Sequence, residues 1–192
     1  MVNRKLLKEY LRKAFHLISV FIIVIYAYLG KQIILAILLV SLVFFLLLEY
    51  IRLEKSVKLP FLHVLYRDSE KNRLGGHVFL TIGAIISIAI FSKQVAFACI
   101  LMTTLGDLSA AIVGKTVGNI KVPFNDKSLE GCTAEFLVDL VIGYAFLGNW
   151  MIAVIMAVVA TVVETVAVKI DDNLMIPLFS GIIGEILLFL MI

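Results

Sequence analysis

Asp107 stands inside an apolar run, and the chain then reads GDLSAAIVGKTVGNIKVPFNDKSLEG over residues 106–131, with Lys115, Lys121, Lys127 and Glu130 along the way. A membrane helix with a purely structural role needs none of these groups. An ionisable side chain in hydrocarbon is costly and marks a functional site by default. The lysines and free backbone N–H groups of residues 121–131 suit phosphate oxygens. The next helix should begin near Gly131, so its positive end faces the same loop. A phosphate-bearing ligand at a bilayer surface fits this chemistry. The plain alternative is a solvated turn with a capping serine. Gly114-Lys115-Thr116 resembles the end of a P-loop, but position 109 is Ser where the pattern requires glycine, and no strand precedes it. A Walker A reading is therefore rejected.

Asp107, Ala110, Ala111, Gly114 and Gly118 follow helical spacing and share a face, where small residues let another helix approach closely. Glu135 and Asp139, four apart, also share a face, and two like charges there require cations, protons or water. Glu164 sits in a further apolar block, followed by Asp171-Asp172-Asn173 at the start of the next. One Asp or Asn there is an ordinary helix cap. Two adjacent acids plus an intramembrane Glu exceed that need and suit Mg²⁺, which takes one or two carboxylates plus substrate phosphates. Arg12 and His16 share a face near the N-terminus beside Lys13, as phosphate contacts or as interfacial anchors. Glu49 and Arg52 are placed to pair. Glu185 is expected to pack without chemistry.

These residues need membrane helices to position them. Of 192 residues 62% are hydrophobic, and the mean hydropathy is +1.08. Soluble domains run at about 45–50% apolar. The apolar blocks approach the length of about 20 residues that spans hydrocarbon, and they do not alternate as barrel strands do. The expected fold is all-α: one polytopic bundle over 1–192, with seven spans near 14–30, 32–50, 77–92, 95–113, 133–148, 150–170 and 174–192. The first block follows basic residues as a signal peptide would, but no clear small-x-small cleavage site follows it. An N-terminus-in, C-terminus-out topology puts 15 of the 17 Lys and Arg residues on the inner side, leaving only Lys31 and Lys93 outside. The polar clusters then lie on or near the cytosolic face. Residues 51–76 form the longest polar connection, and Leu59, Phe61, Leu62, Leu65 and Tyr66 make part of it amphipathic, as an interfacial helix or lid. Cys99 and Cys132 have neither zinc nor redox spacing and read as packing residues.

The motif set resembles the CTP-dependent lipid-alcohol kinases: dolichol kinase, phytol kinase and the yeast-type CTP-dependent diacylglycerol kinase. The resemblance is carried by Gly106-Asp107 with Ala110, Gly114-Lys115 and Gly118, then Lys127-Ser128-x-Glu130-Gly131, and by Glu164 with Asp171-Asp172-Asn173 and Pro177. Weaker matches are Arg12-Lys13-x-x-His16 and Arg67-x-x-Glu70 with Gly75. It implies transfer of the γ-phosphoryl group of CTP to a polyprenol, isoprenoid or other lipid alcohol, with Mg²⁺, at the cytosolic face of a cell membrane or endoplasmic reticulum. It implies catalytic roles for Asp107, Lys127 and Glu130. Nucleotide contacts would come from Gly114, Lys115, Gly118, Lys127, Ser128, Gly131 and Asn173, and metal contacts from Asp107, Glu164, Asp171 and Asp172. Arg12, Lys13, His16, Arg67 and Glu70 would meet lipid or phosphate. Membrane lipids are partners, nucleic acid is not, and a homo-oligomer is compatible. One rival is a CTP-dependent phospholipid cytidylyltransferase, whose HGG-x-x-DR ending is absent here. Another is a small transporter, for which no inverted repeat is visible.

Overall fold

The computed structural model describes residues 17–55, 66, 70, 72–123, 127–166 and 170–191. Every regular element among them is helical, with one isolated antiparallel bridge between Lys121 and Ser128. The chain divides into two compact units, Met1–Ile82 and Gly83–Ile192. The first contains α1 (Ser19–Leu29) and α2 (Lys31–Glu54), which pack together, and the division falls within α3 (Gly76–Ile90). The second contains α4 (Lys93–Leu101), a π-helical turn (Met102–Gly106), α5 (Asp107–Thr116), α6 (Leu129–Leu147), α7 (Trp150–Val166) and α8 (Asp172–Met191).

The helical runs coincide with the apolar blocks. Three runs, Lys31–Glu54, Lys93–Thr116 and Asp172–Met191, are long and apolar enough to cross a membrane, and Ser19–Leu29, Gly76–Ile90 and Trp150–Val166 are shorter apolar helices. At 1.5 Å per residue the 24 residues of α2 extend about 36 Å, more than the roughly 30 Å of hydrocarbon. The same chain is inverted relative to a soluble protein. On α6, Leu137 and Val141 are 54% and 68% exposed, whereas Glu135 and Asp139 have no exposure. Apolar side chains outside and carboxylates inside suit a lipid solvent, so this is a membrane protein by its surface as well as by its composition. The amphipathic stretch Leu59, Phe61, Leu62 and Leu65 lies outside the described residues.

Local chemistry sets the helix ends around the second unit's core. Ser128 adopts an extended backbone, and its Oγ accepts from Gly131 N at 3.1 Å, capping α6. That helix stops at Gly148, whose φ of +64° is the left-handed conformation glycine allows. Asn149 Oδ1 then accepts from Met151 N and Ile152 N, starting α7. Asp171 performs the same service for α8, accepting from Asn173 N at 3.1 Å and Asn173 Nδ2 at 2.6 Å. α6 packs against α5 and α7, and α7 against α8. Ala153, Ala157 and Ala160 form a buried stripe on α7 that leads to Glu164. Cys99 is buried and Cys132 half-buried, both as free thiols in packing positions.

α5 and α6 meet through glycine. A Cβ on Gly131 would stand 2.8 Å from Ala110 O and 3.2 Å from Gly114 Cα, both backbone atoms that cannot rotate away. Gly131→Ala should therefore cost about 1–3 kcal/mol through overpacking. The readout is the thermal unfolding midpoint in detergent, and an unchanged midpoint would show that this approach is not tight.

Candidate functional site

The π-helical turn delivers Asp107. Thr103 Oγ1 and Thr104 Oγ1 bond back to Cys99 O at 2.8 Å and Ile100 O at 2.9 Å, and the widened turn ends at Gly106. Such turns alter helix phase and recur at functional sites. Gly106 is required there, because the Asp139 carboxylate of α6 occupies the space a Cβ would fill. Asp107 follows, buried, as the first residue of α5.

Three carboxylates from three helices converge. Asp107 of α5, Glu164 of α7 and Asp172 of α8 each place one oxygen so that all three lie within 4.8 Å of one another. Lys127 joins them from the loop before α6: its Nζ lies 2.9 Å from Glu164 Oε1 and also donates to the Glu164 carbonyl. Burial pulls the Lys127 ammonium down, but Glu164, Asp172 and Asp107 outweigh it and hold its pKa above the ordinary lysine value. The donor set fits a hard divalent cation. With ligands at about 2.1 Å, adjacent oxygens of an octahedron lie about 3.0 Å apart and opposite ones about 4.2 Å. Glu164 Oε2 is buried with no hydrogen-bond partner, so it has coordinating capacity to spare.

Glu135 and Asp139 extend the same cluster. Glu164, Asp139 and Asp107 are the charged neighbours of Glu135, and Glu164 and Asp107 those of Asp139. When ionised, the facing carboxylates supply each other no donor, and all four oxygens of the pair lack one; a proton on Glu135 would let it bond Glu164. Asp107, Glu135, Asp139, Glu164 and Asp172 are between 0 and 9% exposed. The sequence placed Glu135 and Asp139 on one face but not against Glu164. The signal available was their helical register with Gly131, where α6 packs closely on Ala110 and Gly114 of α5.

The other expected residues take different positions. Asp171 is not among the converging oxygens and instead caps α8, with Asn173 as its donor. Glu130 accepts from the backbone amides of Asn119 and Ile120 at 3.0 and 3.2 Å, which ties the end of α5 to the start of α6. Those amides hold its carboxyl below the usual glutamate range. Gly114, Gly118 and Gly131 form the α5–α6 contact around the Ser128 hydroxyl. Lys115 lies in the last turn of α5. Glu185 accepts from Ser92 N at 2.8 Å before α4, a packing role as expected. Arg12, Lys13, His16, Arg67 and Asp126 lie outside the described residues.

The first unit has its own polar cluster. Buried Glu49 accepts from Tyr66 Oη at 2.7 Å and Arg52 Nε at 3.2 Å, with His77 Nε2 3.5 Å away. Arg52 stacks over the Tyr66 ring at 4.2 Å, and its Nη1 donates to Glu70 O at 3.0 Å. Glu49 and Arg52 pair, as their spacing predicts. Burial, with Glu49 beside it, raises the Tyr66 pKa.

Comparison with known proteins follows the motifs. An uncharacterized protein of Methanocaldococcus jannaschii is 28% identical over 182 residues, covering 92% of this chain and 93% of that one. A probable chloroplastic phytol kinase of Glycine max is 33% identical over 141 residues, covering 64% of this chain and 43% of the kinase. A CTP-dependent diacylglycerol kinase of Schizosaccharomyces pombe is 28% identical over 137 residues, covering 61% of this chain and 62% of the kinase. The chain thus spans less than two thirds of the length of these kinases. These relatives bear out the family resemblance carried by the motifs. No family model matches, and no solved structure does.

Lys127 gives a direct test of the cluster's electrostatics. Its folded pKa lies above the unfolded value, so its stabilising contribution is complete below about pH 10.5 and is lost as pH rises through the folded value. Lys127→Gln should lower the unfolding midpoint by several degrees near neutral pH and flatten the loss of stability above about pH 10.5. Parallel wild-type and variant pH profiles would refute the pairing.

Proposed function

We propose, on the premise of similarity to the CTP-dependent lipid kinases, that this chain transfers the γ-phosphoryl group of CTP to the hydroxyl of a polyprenol, phytol-like or other lipid alcohol. The observation that carries the reading is the convergence of Asp107, Glu164 and Asp172, with Lys127 on Glu164, within the part of the chain that carries the kinase motifs. Phosphoryl transfer is chiefly a matter of positioning and charge stabilisation, which suits a site of fixed carboxylates and lysines.

In this reading Asp107, Glu164 and Asp172 would hold Mg²⁺, which would supply positive charge to offset that of the phosphates. Lys127 keeps Glu164 in place and adds positive charge at the phosphates. Lys115, in the last turn of α5, stands at the cytosolic end as a further phosphate contact. Glu130 and Ser128 hold the backbone of the loop that carries Lys127. The alcohol O–H bond breaks as its oxygen bonds to the γ-phosphorus, and the bond from that phosphorus to the β–γ bridging oxygen breaks to release CDP. The proton passes to a carboxylate of the site. Seven spans with an inner N-terminus put these groups on the cytosolic side, where CTP is available, while the acceptor's tail stays in lipid. The excess of Lys and Arg in the inner loops supports that orientation.

The test uses purified protein in detergent with Mg²⁺, [γ-³²P]CTP and a panel of phytol, geranylgeraniol, dolichol and diacylglycerol. Label should enter the lipid phase with CTP and not with ATP. Asp107→Asn and Asp172→Asn should each lower turnover by about two orders of magnitude or more while the protein still folds and inserts. Near-normal turnover in either variant would overturn the assignment. Pyrophosphate release with formation of a CDP-lipid would replace the kinase with a cytidylyltransferase.

A further inference from the structure

The proposed site needs Asp107 to point toward Glu164 and Asp172, and the helix that carries it does not achieve this by regular winding. Lys93–Thr116 is one helical run, interrupted by the π-helical turn Met102–Gly106. Bonding from i to i+5 takes in one residue more than an α-helical turn. With 3.6 residues per turn, one extra residue rotates everything beyond it by about 100° around the axis. Asp107 is the first residue beyond the π-helical turn. If that turn became regular α-helix, Asp107 would swing by this angle away from the oxygens it now approaches. Such turns are rare and recur at functional sites, so contacts from elsewhere must sustain this one.

α6 makes those contacts. Gly131 lies against Ala110 O and Gly114 Cα, Asp139 against Gly106, and Gly143 against the Met102 side chain. The first and last residues of the π-helical turn are thus both gripped, at positions one turn apart on α6. At Gly106 the gripping group is the Asp139 carboxyl, whose three heavy atoms all lie within 3.1 Å of the point a Cβ would occupy. Asp139 has no exposed surface, and neither of its oxygens has a hydrogen-bond partner. Burying such a group is costly, so stability alone does not account for it. Asp and Asn carry a planar three-atom group directly on Cβ, which can lie flat over a glycine.

We propose that Asp139 is a positioning residue: its carboxyl group, seated on Gly106, keeps the π-helical turn in the phase that brings Asp107 to Glu164 and Asp172. The proposal rests on the reading of those three acids as metal ligands. Asp139 itself touches neither metal nor substrate.

Mn²⁺ is the probe, with the full chain in detergent micelles. Its binding is read from the electron paramagnetic resonance signal of the free ion, beside the thermal unfolding midpoint. Asp139→Ala should weaken Mn²⁺ binding by about tenfold or more. Its midpoint should stay close to that of wild type, because a costly buried group leaves together with the support it gave. Asp139→Asn keeps the planar group and should bind within about threefold of wild type. Gly106→Ala should lower both affinity and midpoint. Adding Asp139→Ala to Gly106→Ala should recover most of both losses, since the new methyl enters the space the carboxyl group has left. Full Mn²⁺ affinity in Asp139→Ala, or additive losses in the Gly106/Asp139 pair, overturns the proposal. Equal weakening in Asp139→Asn and Asp139→Ala also overturns it and assigns the effect to charge. If wild type binds no Mn²⁺, the metal reading fails by itself. The midpoints of the Gly106/Asp139 variants then still decide the seating, which recovery upholds and additivity overturns. If Asp139→Ala does not fold, Asp139→Ser is read against the same outcomes.

Discussion

Five acidic side chains held together out of water are the constraint around which the second unit is organised. Isolated charges in a low-dielectric interior are destabilising by many kcal/mol, and like charges repel one another there far more than in water. The described structure answers in part with Lys127 on Glu164, while Glu135 and Asp139 keep buried oxygens without a hydrogen-bond donor. Such a cluster is tolerable in a membrane bundle where protons or cations offset its charge.

Much of the surrounding sequence follows from the need to bring α5, α6, α7 and α8 to one point. Glycines at 106, 114, 118 and 131 remove side chains where backbones or carboxylates must come close. Alanines on α7 do the same more gently. Pro177 inside α8 removes the N–H that would bond the Asn173 carbonyl, close to Asp172 and beside Gly83. Ser128 and Asp171 satisfy the starts of α6 and α8, and Asp172, in the first turn of α8, belongs to the cluster.

The fold was legible in the sequence because its main signal is composition. Apolar blocks bounded by Gly30, Gly148-Asn149 and Asp171 leave little freedom in where helices begin and end. Asp107, Glu164 and Asp172 were legible for a related reason, since an acid in an apolar block has few other uses. What stayed hidden depended on partners distant in sequence. Glu130 looks like a catalytic acid in a one-dimensional reading, yet the bend after α5 brings the amides of Asn119 and Ile120 to it. Asp171 is indistinguishable from Asp172 by type, and only the start of α8 separates a cap from a member of the cluster. The π-helical turn has no compositional mark beyond two threonines that can bond backward, and without it the phase of Asp107 relative to α4 would be read wrongly.

The described part of the loop between α5 and α6 ties the buried cluster to the helix ends around it. It leaves α5 after Thr116 and returns through Lys127 into α6, braced by Glu130 on one side and by the pairing of Val122 N with Lys127 O at 2.9 Å on the other. Lysine has the length to carry its ammonium below its own backbone while the loop remains in the interface. Lys127 uses that reach to meet Glu164, a buried residue of α7. The loop is thereby fastened to the cluster it covers, so charge arriving at the cluster and the position of the loop are coupled through one ion pair. Under the proposed function, a polyanionic ligand would compete with Glu164 for Lys127 and its metal would compete with Lys127 for Glu164. On that proposal the Lys127–Glu164 pair is the contact that binding would have to rearrange.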